Sequence, residues 1–210
     1  NNAQNALPQI TGKIDELIKQ GKHLKYLILT HIHLDHAGLT GKLAKLYPEA
    51  LVVVHPKGAR HMQKPQRLES SSRQVYGDEA CDKMYGQLLG VAESQLLSPA
   101  DGAELPLGSE TLKFIYTRGH ANHHFCIVAS SLNAIFTGDS FGLAYPHLNE
   151  NKNTWIYPST SPTDFDYQEA LISLSKIQDA GVDNAYLTHF GVWSKINEGA
   201  SQLKEHLEFH

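Results

Sequence analysis

The sequence has little of what marks secreted, membrane-spanning or nucleic-acid-binding proteins. Only two of its 210 residues are cysteine, which excludes a disulfide framework. No apolar run approaches the roughly 18 to 20 residues needed to cross a bilayer, and the polar first residues carry no secretory signal. The formal net charge of −4 gives no basic footprint for nucleic acid or anionic lipid. These features predict a cytoplasmic protein that contacts neither nucleic acid nor a membrane.

The composition is otherwise that of an ordinary globular protein. Hydrophobic residues make up 41% of the chain and charged residues 19%, which is typical of a soluble domain with a core. The length suits one sizeable domain, and we predict a single domain over residues 1–210. Cys126 lies in an apolar, strand-like run, which predicts a buried and unreactive thiol.

Apolar periodicity predicts alternating helices and strands. Helices are expected at 10–19, 39–47, 166–179 and 192–207, and strands at 25–30, 50–54, 111–117, 125–129, 134–137 and 184–188. Residues 56–95 are predicted to form helices and loops, and residues 142–162 a long functional loop. The alternation favours an α/β layered domain.

Four metal-capable side chains fall within six residues, directly after the apolar run at 26–30. They are His31, His33, Asp35 and His36. Imidazole and carboxylate groups bind borderline metals such as zinc and iron. Because one ion cannot readily use four ligands from a single turn, the spacing predicts two metals side by side. A chance cluster is the alternative, since the chain has 13 histidines, but the order H-x-H-x-D-H is specific.

Three further candidate ligands end predicted strands. His120, Asp139 and His189 each follow an apolar run, and glycine precedes the first two. Strand ends of this kind converge on a common edge of a sheet, and glycine lets the backbone bend close to a metal. Their order along the chain, after the dense cluster, therefore favours one shared metal site.

These residues resemble the motifs of the metallo-β-lactamase superfamily. The blocks are H-x-H-x-D-H at 31–36, G-H-x-x-x-H at 119–124, T-G-D at 137–139 and T-H at 188–189. The resemblance implies a four-layer αβ/βα sandwich with the site at the edge between two sheets. Metal one would be held by His31, His33 and His120, metal two by Asp35, His36 and His189, with Asp139 bridging them. Segments 54–61, 119–124, 160–166 and 188–191 look more narrowly like a glyoxalase-II-like branch of hydrolases.

One departure from the family concerns the beginning of the chain. Members normally start with two or three strands before the histidine motif, whereas about 24 residues precede the first strand here and predict a helix. We therefore expect this sequence to lack the first N-terminal strands of the fold, by truncation rather than by loss.

The resemblance implies a dinuclear hydrolase that acts on a small ester, thioester or lactone through a metal-bridging hydroxide. Zinc is favoured, with iron or manganese left open. Asp139 would bridge the ions and Asp35 could relay the proton of the water. His124 is expected to donate a hydrogen bond that orients a ligand or substrate, while His123 and Tyr145 could line the pocket.

Two other activities remain open. The first is iron redox chemistry, like that of a persulfide dioxygenase or a diiron oxygen reductase. His33 stands where oxygen-reducing relatives usually carry Glu, which argues against an oxygen reductase. The second is a nuclease or phosphodiesterase, for which no basic exosite is visible. The expected partner is a small-molecule substrate, and an exposed sheet edge would favour a homodimer.

Overall fold

A computed structural model describes residues 3–145, 155–160 and 164–208. The chain divides into two compact units, Asn1–Pro99 and Ala100–His210, which we call the N-terminal unit and the C-terminal unit. A single domain over the whole chain stays a prediction. The predicted loop at 142–162 lies partly outside the described residues.

The N-terminal unit combines a small parallel sheet with six α-helices among its described residues. In chain order these elements are α1 (Leu7–Lys19), β1 (Tyr26–Ile28), α2 (Leu34–Ala37), α3 (Thr40–Leu46), β2 (Leu51–Val53), α4 (Pro56–Gln63), α5 (Gln66–Tyr76), α6 (Asp78–Met84) and β3 (Leu96–Leu97). The strands lie in the order β1-β2-β3, with Ile28 opposite Val53 and Val53 opposite Leu97. The carboxyl ends of β1 and β2 therefore lie side by side.

The predicted elements of this unit are present with shifted ends. Helix α1 begins earlier than expected, since Pro8 stands in its first turn, and its last residues precede Gly21 with φ +79°. The predicted helix at 39–47 is α3, and the separate turn α2 precedes it. Leu29, Ile32 and Val52 belong to the buried core of this unit, so the residues on either side of His31 are fixed by packing.

The C-terminal unit is built on a mixed sheet of six strands. Its described elements are β4 (Glu104–Leu107), β5 (Glu110–Tyr116), β6 (Phe125–Ala129), β7 (Ala134–Gly138), β8 (Leu143–Ala144), β9 (Ile156–Tyr157), α7 (Tyr167–Gln178), β10 (Asn184–Leu187), β11 (Gly191–Trp193) and α8 (Ile196–Glu208). The order in the main sheet is β11-β10-β7-β6-β5-β4, and β8 pairs with β9. Only β7 and β10 run parallel, so their carboxyl ends point the same way.

Helices α7 and α8 pack with one face of this sheet. Leu174 and Ile177 of α7, Leu203 of α8, and Ile135 and Ala185 of the sheet share one buried cluster. Asp166 caps α7 because its carboxylate accepts the Glu169 backbone N–H at 3.0 Å. This hydrogen bond fixes where α7 begins.

The prediction of one final helix at 192–207 is wrong at its start. Residues Gly191–Trp193 form β11, in which Val192 pairs antiparallel with Tyr186 of β10. Val and Trp favour strands, and this pairing outweighs the helical periodicity there. The helix begins at Ile196, from which its buried residues continue at Ala200, Leu203 and Leu207.

No helix among residues 3–145, 155–160 and 164–208 is both long and apolar enough to cross a membrane.

Candidate metal centre

In the N-terminal unit, the turn after β1 gathers the four residues of the histidine motif. The rings of His31 and His33 have centroids 4.5 Å apart, and those of His31 and His36 are 4.0 Å apart. Asp35 Oδ2 lies 3.2 Å from His36 Nε2. Since His31 is fully buried and His36 only 7% exposed, these two rings belong to the packed interior rather than to the solvated surface.

Local backbone geometry presents these side chains together. His33 stands at the N-terminus of α2, and its carbonyl accepts the N–H groups of His36 and Ala37 at 2.9 and 2.8 Å. The short helical turn brings Asp35 and His36 round to the side of His31. Gly38 closes the turn, where a Cβ would lie 2.7 Å from the Tyr85 ring. Tyr85 therefore packs tightly against the turn.

Tyr85 is itself buried beside this turn. Burial, together with the smaller effect of the negative charge of Asp35, raises the pKa of Tyr85 to about 12. The phenol consequently stays protonated over the physiological range and contributes no negative charge to the cluster.

In the C-terminal unit, Asp139 faces two imidazoles with its two carboxylate oxygens. Oδ2 lies 3.6 Å from His120 Nε2, and Oδ1 lies 3.6 Å from His189 Nε2. Asp139 is only 7% exposed and His120 only 4%. A carboxylate that offers one oxygen to each of two neighbouring ligand groups has the arrangement required of a bridge between two cations.

The tautomer of His120 fits a cation between the two groups. His120 Nδ1 lies 2.9 Å from the Ser159 carbonyl, which can only accept, so the ring proton is on Nδ1. In the neutral ring, the Nε2 atom then turns a lone pair toward the carboxylate oxygen of Asp139. Two acceptors that face each other are stabilised by a cation, and hydrogen bonding of the second ring nitrogen is usual for metal-binding histidine.

Helix α7 anchors the loop that carries His120. Asp166 N–H donates to the Gly119 carbonyl at 2.8 Å, and Ser173 Oγ donates to the Arg118 carbonyl at 2.5 Å. Gly119 has φ +120°, and a Cβ there would lie 2.5 Å from the backbone of Ala170. Only glycine permits this close approach.

The ends of β7 and β10 fix the other two candidate ligands. Gly138 has φ +51°, which turns the chain immediately before Asp139. Thr137 Oγ1 donates to the Tyr186 carbonyl at 3.2 Å, beside the irregularity in register between Tyr186 and Leu187. Just beyond His189, Phe190 has φ +120°, a conformation that is strained for any residue except glycine.

Four of the seven predicted ligands belong to the N-terminal unit and three to the C-terminal unit. Each of the seven side chains offers an atom that could hold a metal ion: His31, His33, Asp35, His36, His120, Asp139 and His189. His124 is fully buried. His123 is half-buried and Tyr145 is 46% exposed, and a role for them in the pocket stays a prediction.

His55 and Cys126 are buried outside the predicted ligand set. His55 Nδ1 accepts the Lys57 N–H at 3.1 Å, which caps α4. Cys126 is fully buried, and burial raises the pKa of its thiol to about 12. The prediction of an unreactive thiol at Cys126 is supported.

Sequence reasoning missed the hydroxyl residues around these ligands. Ser159 contacts both His120 and Asp139, since its Oγ lies 3.5 Å from Asp139 Oδ2. Thr117 and Ser140 both lie within 3.0 Å of the His124 ring. Ser140 directly follows the T-G-D motif, which is a usable signal, whereas nothing in the local sequence marks Ser159.

Comparison with known proteins identifies the family. The model of the metallo-β-lactamase superfamily matches residues 3–189. The chain belongs to the metallo-β-lactamase superfamily. The predicted resemblance and the metallo-β-lactamase fold, with helices and mixed sheets, are therefore confirmed. A metallo-β-lactamase fold-containing protein of Sulfurisphaera tokodaii is 31% identical over 157 residues, which cover 73% of this chain and 55% of that protein.

Structural and further sequence comparisons agree with this assignment. The crystal structure of an archaeal superfamily protein from Sulfolobus tokodaii matches with a TM-score of 0.70 and 28% identity, covering 90% of this chain and 68% of that one. Hydroxyacylglutathione hydrolase of Francisella philomiragia is 28% identical over 131 residues, 60% of this chain and 38% of that protein. Atrochrysone carboxyl ACP thioesterase of Aspergillus fumigatus is 27% identical over 176 residues, 84% and 41% of the two chains. The chain spans about half or less of the length of these curated relatives.

Proposed function

We propose that this chain carries the metal centre of a hydrolase that cleaves a small ester, thioester or lactone. The observation that carries the proposal is the placement of Asp139, whose two oxygens each face a different histidine at 3.6 Å. One carboxylate shared in this way suits a pair of ions rather than one. The ligand sets in this proposal are those that the family motifs imply.

The donor set favours zinc among the divalent ions. Nitrogen and carboxylate ligands, without thiolate, suit zinc, iron and manganese, and metal availability decides between them. When bound, a pair of such ions lowers the pKa of a shared water toward 7 and polarises the oxygen under attack. No serine or cysteine nucleophile is then needed, and Cys126, with its protonated and fully buried thiol, is unsuited to that role.

The chain's own residues have separable tasks in this reaction. Asp139 holds its carboxylate between His120 and His189, and Ser159 keeps the His120 proton on Nδ1. Asp35 lies beside His36 and is partly exposed, so its second oxygen is suited to take or return a proton. Tyr85 remains neutral beside it and does not compete for a cation.

The substrate class rests on the relatives together with this site. One relative is named as a hydroxyacylglutathione hydrolase and another as a carrier-protein thioesterase, which supports a thioester or a related acyl bond. The net charge of −4 makes a long polyanion an unfavourable substrate. A small acyl compound therefore suits the chain better than a nucleic acid.

The test is elemental analysis of purified protein followed by a substrate screen. We expect two equivalents of zinc per chain and hydrolysis of a thioester, lactone or simple ester, with loss of turnover after chelation and recovery when zinc is restored. The Asp139→Asn variant should lose activity and bind fewer ions, whereas Ser201→Ala, on the exposed side of α8, serves as the matched control. Iron with oxygen consumption, or phosphodiesterase activity alone, would contradict the proposal.

A further inference from the structure

His124 is a fully enclosed polar side chain near Asp139. It is fully buried immediately before β6, and both nitrogens of its ring have hydrogen-bond partners in the C-terminal unit. Nε2 lies 3.2 Å from the backbone N of Asp139, while Nδ1 lies 2.9 Å from Thr117 Oγ1 and 3.0 Å from Ser140 Oγ. The ring thus connects the end of β5 to the turn that follows β7.

The hydrogen-bond partners determine which nitrogen of His124 carries the proton. The Asp139 backbone N–H can only donate, so His124 Nε2 accepts and has no hydrogen. A neutral imidazole must then carry its proton on Nδ1. The Ser140 hydroxyl donates its hydrogen to the Thr117 carbonyl at 2.9 Å, so the Ser140 oxygen accepts from His124 Nδ1.

The second hydroxyl partner agrees with the same assignment. The Cys126 thiol donates to the Thr137 carbonyl at 3.5 Å, and Thr117 Oγ1 lies 3.2 Å from the sulfur. Since the only thiol hydrogen is already used, the Thr117 hydroxyl donates to sulfur and its oxygen accepts from Nδ1. Every hydrogen in this buried network therefore has one consistent direction.

We propose that His124 is a positioning residue that holds the Asp139 backbone so that both carboxylate oxygens stay directed at their histidine neighbours. The inference rests on the proposed function, and it replaces the predicted role: His124 accepts a hydrogen bond from Asp139 rather than donating one to a ligand. Gly138, with φ +51°, leaves the backbone before Asp139 intrinsically adaptable. The hydrogen bond to Nε2 removes that freedom.

Small displacements of the Asp139 carboxylate would weaken metal binding. A carboxylate shared by two ions has to stay within about 0.5 Å and 10–20° of its working position. Packing alone does not supply this control, because an apolar ring of the same shape would leave the Asp139 N–H without the acceptor that the structure gives it. The role of His124 thus depends on one acceptor nitrogen.

Two substitutions distinguish the contributions of the two ring nitrogens of His124. His124→Gln places an amide oxygen at the distance of Nε2 and keeps an acceptor for Asp139. His124→Asn reaches only as far as Nδ1 and keeps a donor for Thr117 and Ser140. The measurements are the zinc affinity, by competition with a chelator, the visible spectrum of the cobalt form, and the urea stability of the metal-free protein.

We expect the Gln variant to keep zinc affinity within about threefold of the parent, and the Asn variant to lose about 10- to 100-fold, the range typical of residues that orient ligands. The cobalt spectrum should change in the Asn variant and not in the Gln variant. Ile177→Ala, in the core of α7 and outside the network, is the control that lowers stability without changing zinc affinity.

The outcomes distinguish this inference from the proposed function. If the parent protein binds zinc but both His124 variants lose it equally, the positioning role is wrong and the hydrolase proposal stands. The same conclusion follows if zinc affinity falls in proportion to metal-free stability in the two His124 variants and in Ile177→Ala. If the parent binds no metal, both proposals fall. Should the Asn variant not fold, weak zinc binding by the Gln variant would be enough to overturn the inference.

Discussion

Replacing Gly119 with alanine should destabilise the protein far more than an ordinary glycine substitution. An added Cβ would lie 2.5 Å from both Cα and N of Ala170 and 2.8 Å from its Cβ, which is about 1 Å inside normal contact distance. Overpacking of this kind costs about 1–3 kcal/mol. The positive φ of +120° adds about 1–2 kcal/mol for a residue with a side chain. We therefore expect a loss of about 2–5 kcal/mol in the free energy of unfolding.

Gly181→Ala is the matched control for this prediction. Gly181 also has a positive φ, +71°, but nothing lies within 4 Å of its added Cβ, so only the conformational cost of about 1–2 kcal/mol applies. Urea unfolding at equilibrium, on metal-free protein, measures both variants. Gly119→Ala should be less stable by about 1–3 kcal/mol more than the control. Equal losses in the two variants would show that the loop carrying His120 is not held against α7 as described.

Three further predictions concern single residues. Burial raises the pKa of Cys126, so its protonated thiol stabilises the fold fully below the unfolded pKa near 8.5, and this contribution falls by about 1.4 kcal/mol per pH unit above it. Between pH 8 and 10, the difference in free energy of unfolding between the parent and Cys126→Ala should therefore narrow. A difference that stays constant over this range would contradict the prediction. Phe190→Gly should raise the free energy of unfolding by about 1 kcal/mol, because φ +120° is strained for phenylalanine; a lower midpoint in urea would refute this. His55→Ala should cost about 1 kcal/mol through loss of the α4 cap and His55→Asn much less, so equal losses would argue against capping.

Much of the fold follows from local sequence. The run at 125–129 was predicted as a strand with the observed ends, because all five residues are buried and none has the polarity of a turn. The helix predicted from residue 166 likewise begins beside Asp166, whose carboxylate caps α7. Where a segment is marked by its own residues, the sequence is sufficient.

Other parts of the fold depend on partners distant in the chain. Strands Leu96–Leu97 and Ile156–Tyr157 are too short for a periodic signal and exist through pairing with β2 and β8. Strand Gly191–Trp193 was mistaken for helix for the same reason, since only β10 defines it. Tertiary pairing of this kind overrides local preference.

The candidate ligands could be predicted, and the residues that support them could not. Spacing and strand ends single out all seven ligand positions, whereas Ser159 lies 39 residues from His120 and meets it only in the folded chain. The direction of the His124 hydrogen bond also needed coordinates, because it depends on the Asp139 backbone rather than on any side-chain pattern. Motifs identify the donors, while the fold identifies what holds them.

The most direct test is to count the metal ions bound by variants of two ligands in the C-terminal unit. We propose that His120 and His189 hold different ions and that Asp139 bridges them, because its two oxygens each face one of these rings at 3.6 Å. Elemental analysis should find one ion fewer than the parent in His120→Ala, one fewer in His189→Ala, and two fewer in the double variant. Loss of only one ion in the double variant, or no loss in either single variant, would contradict a bridged pair.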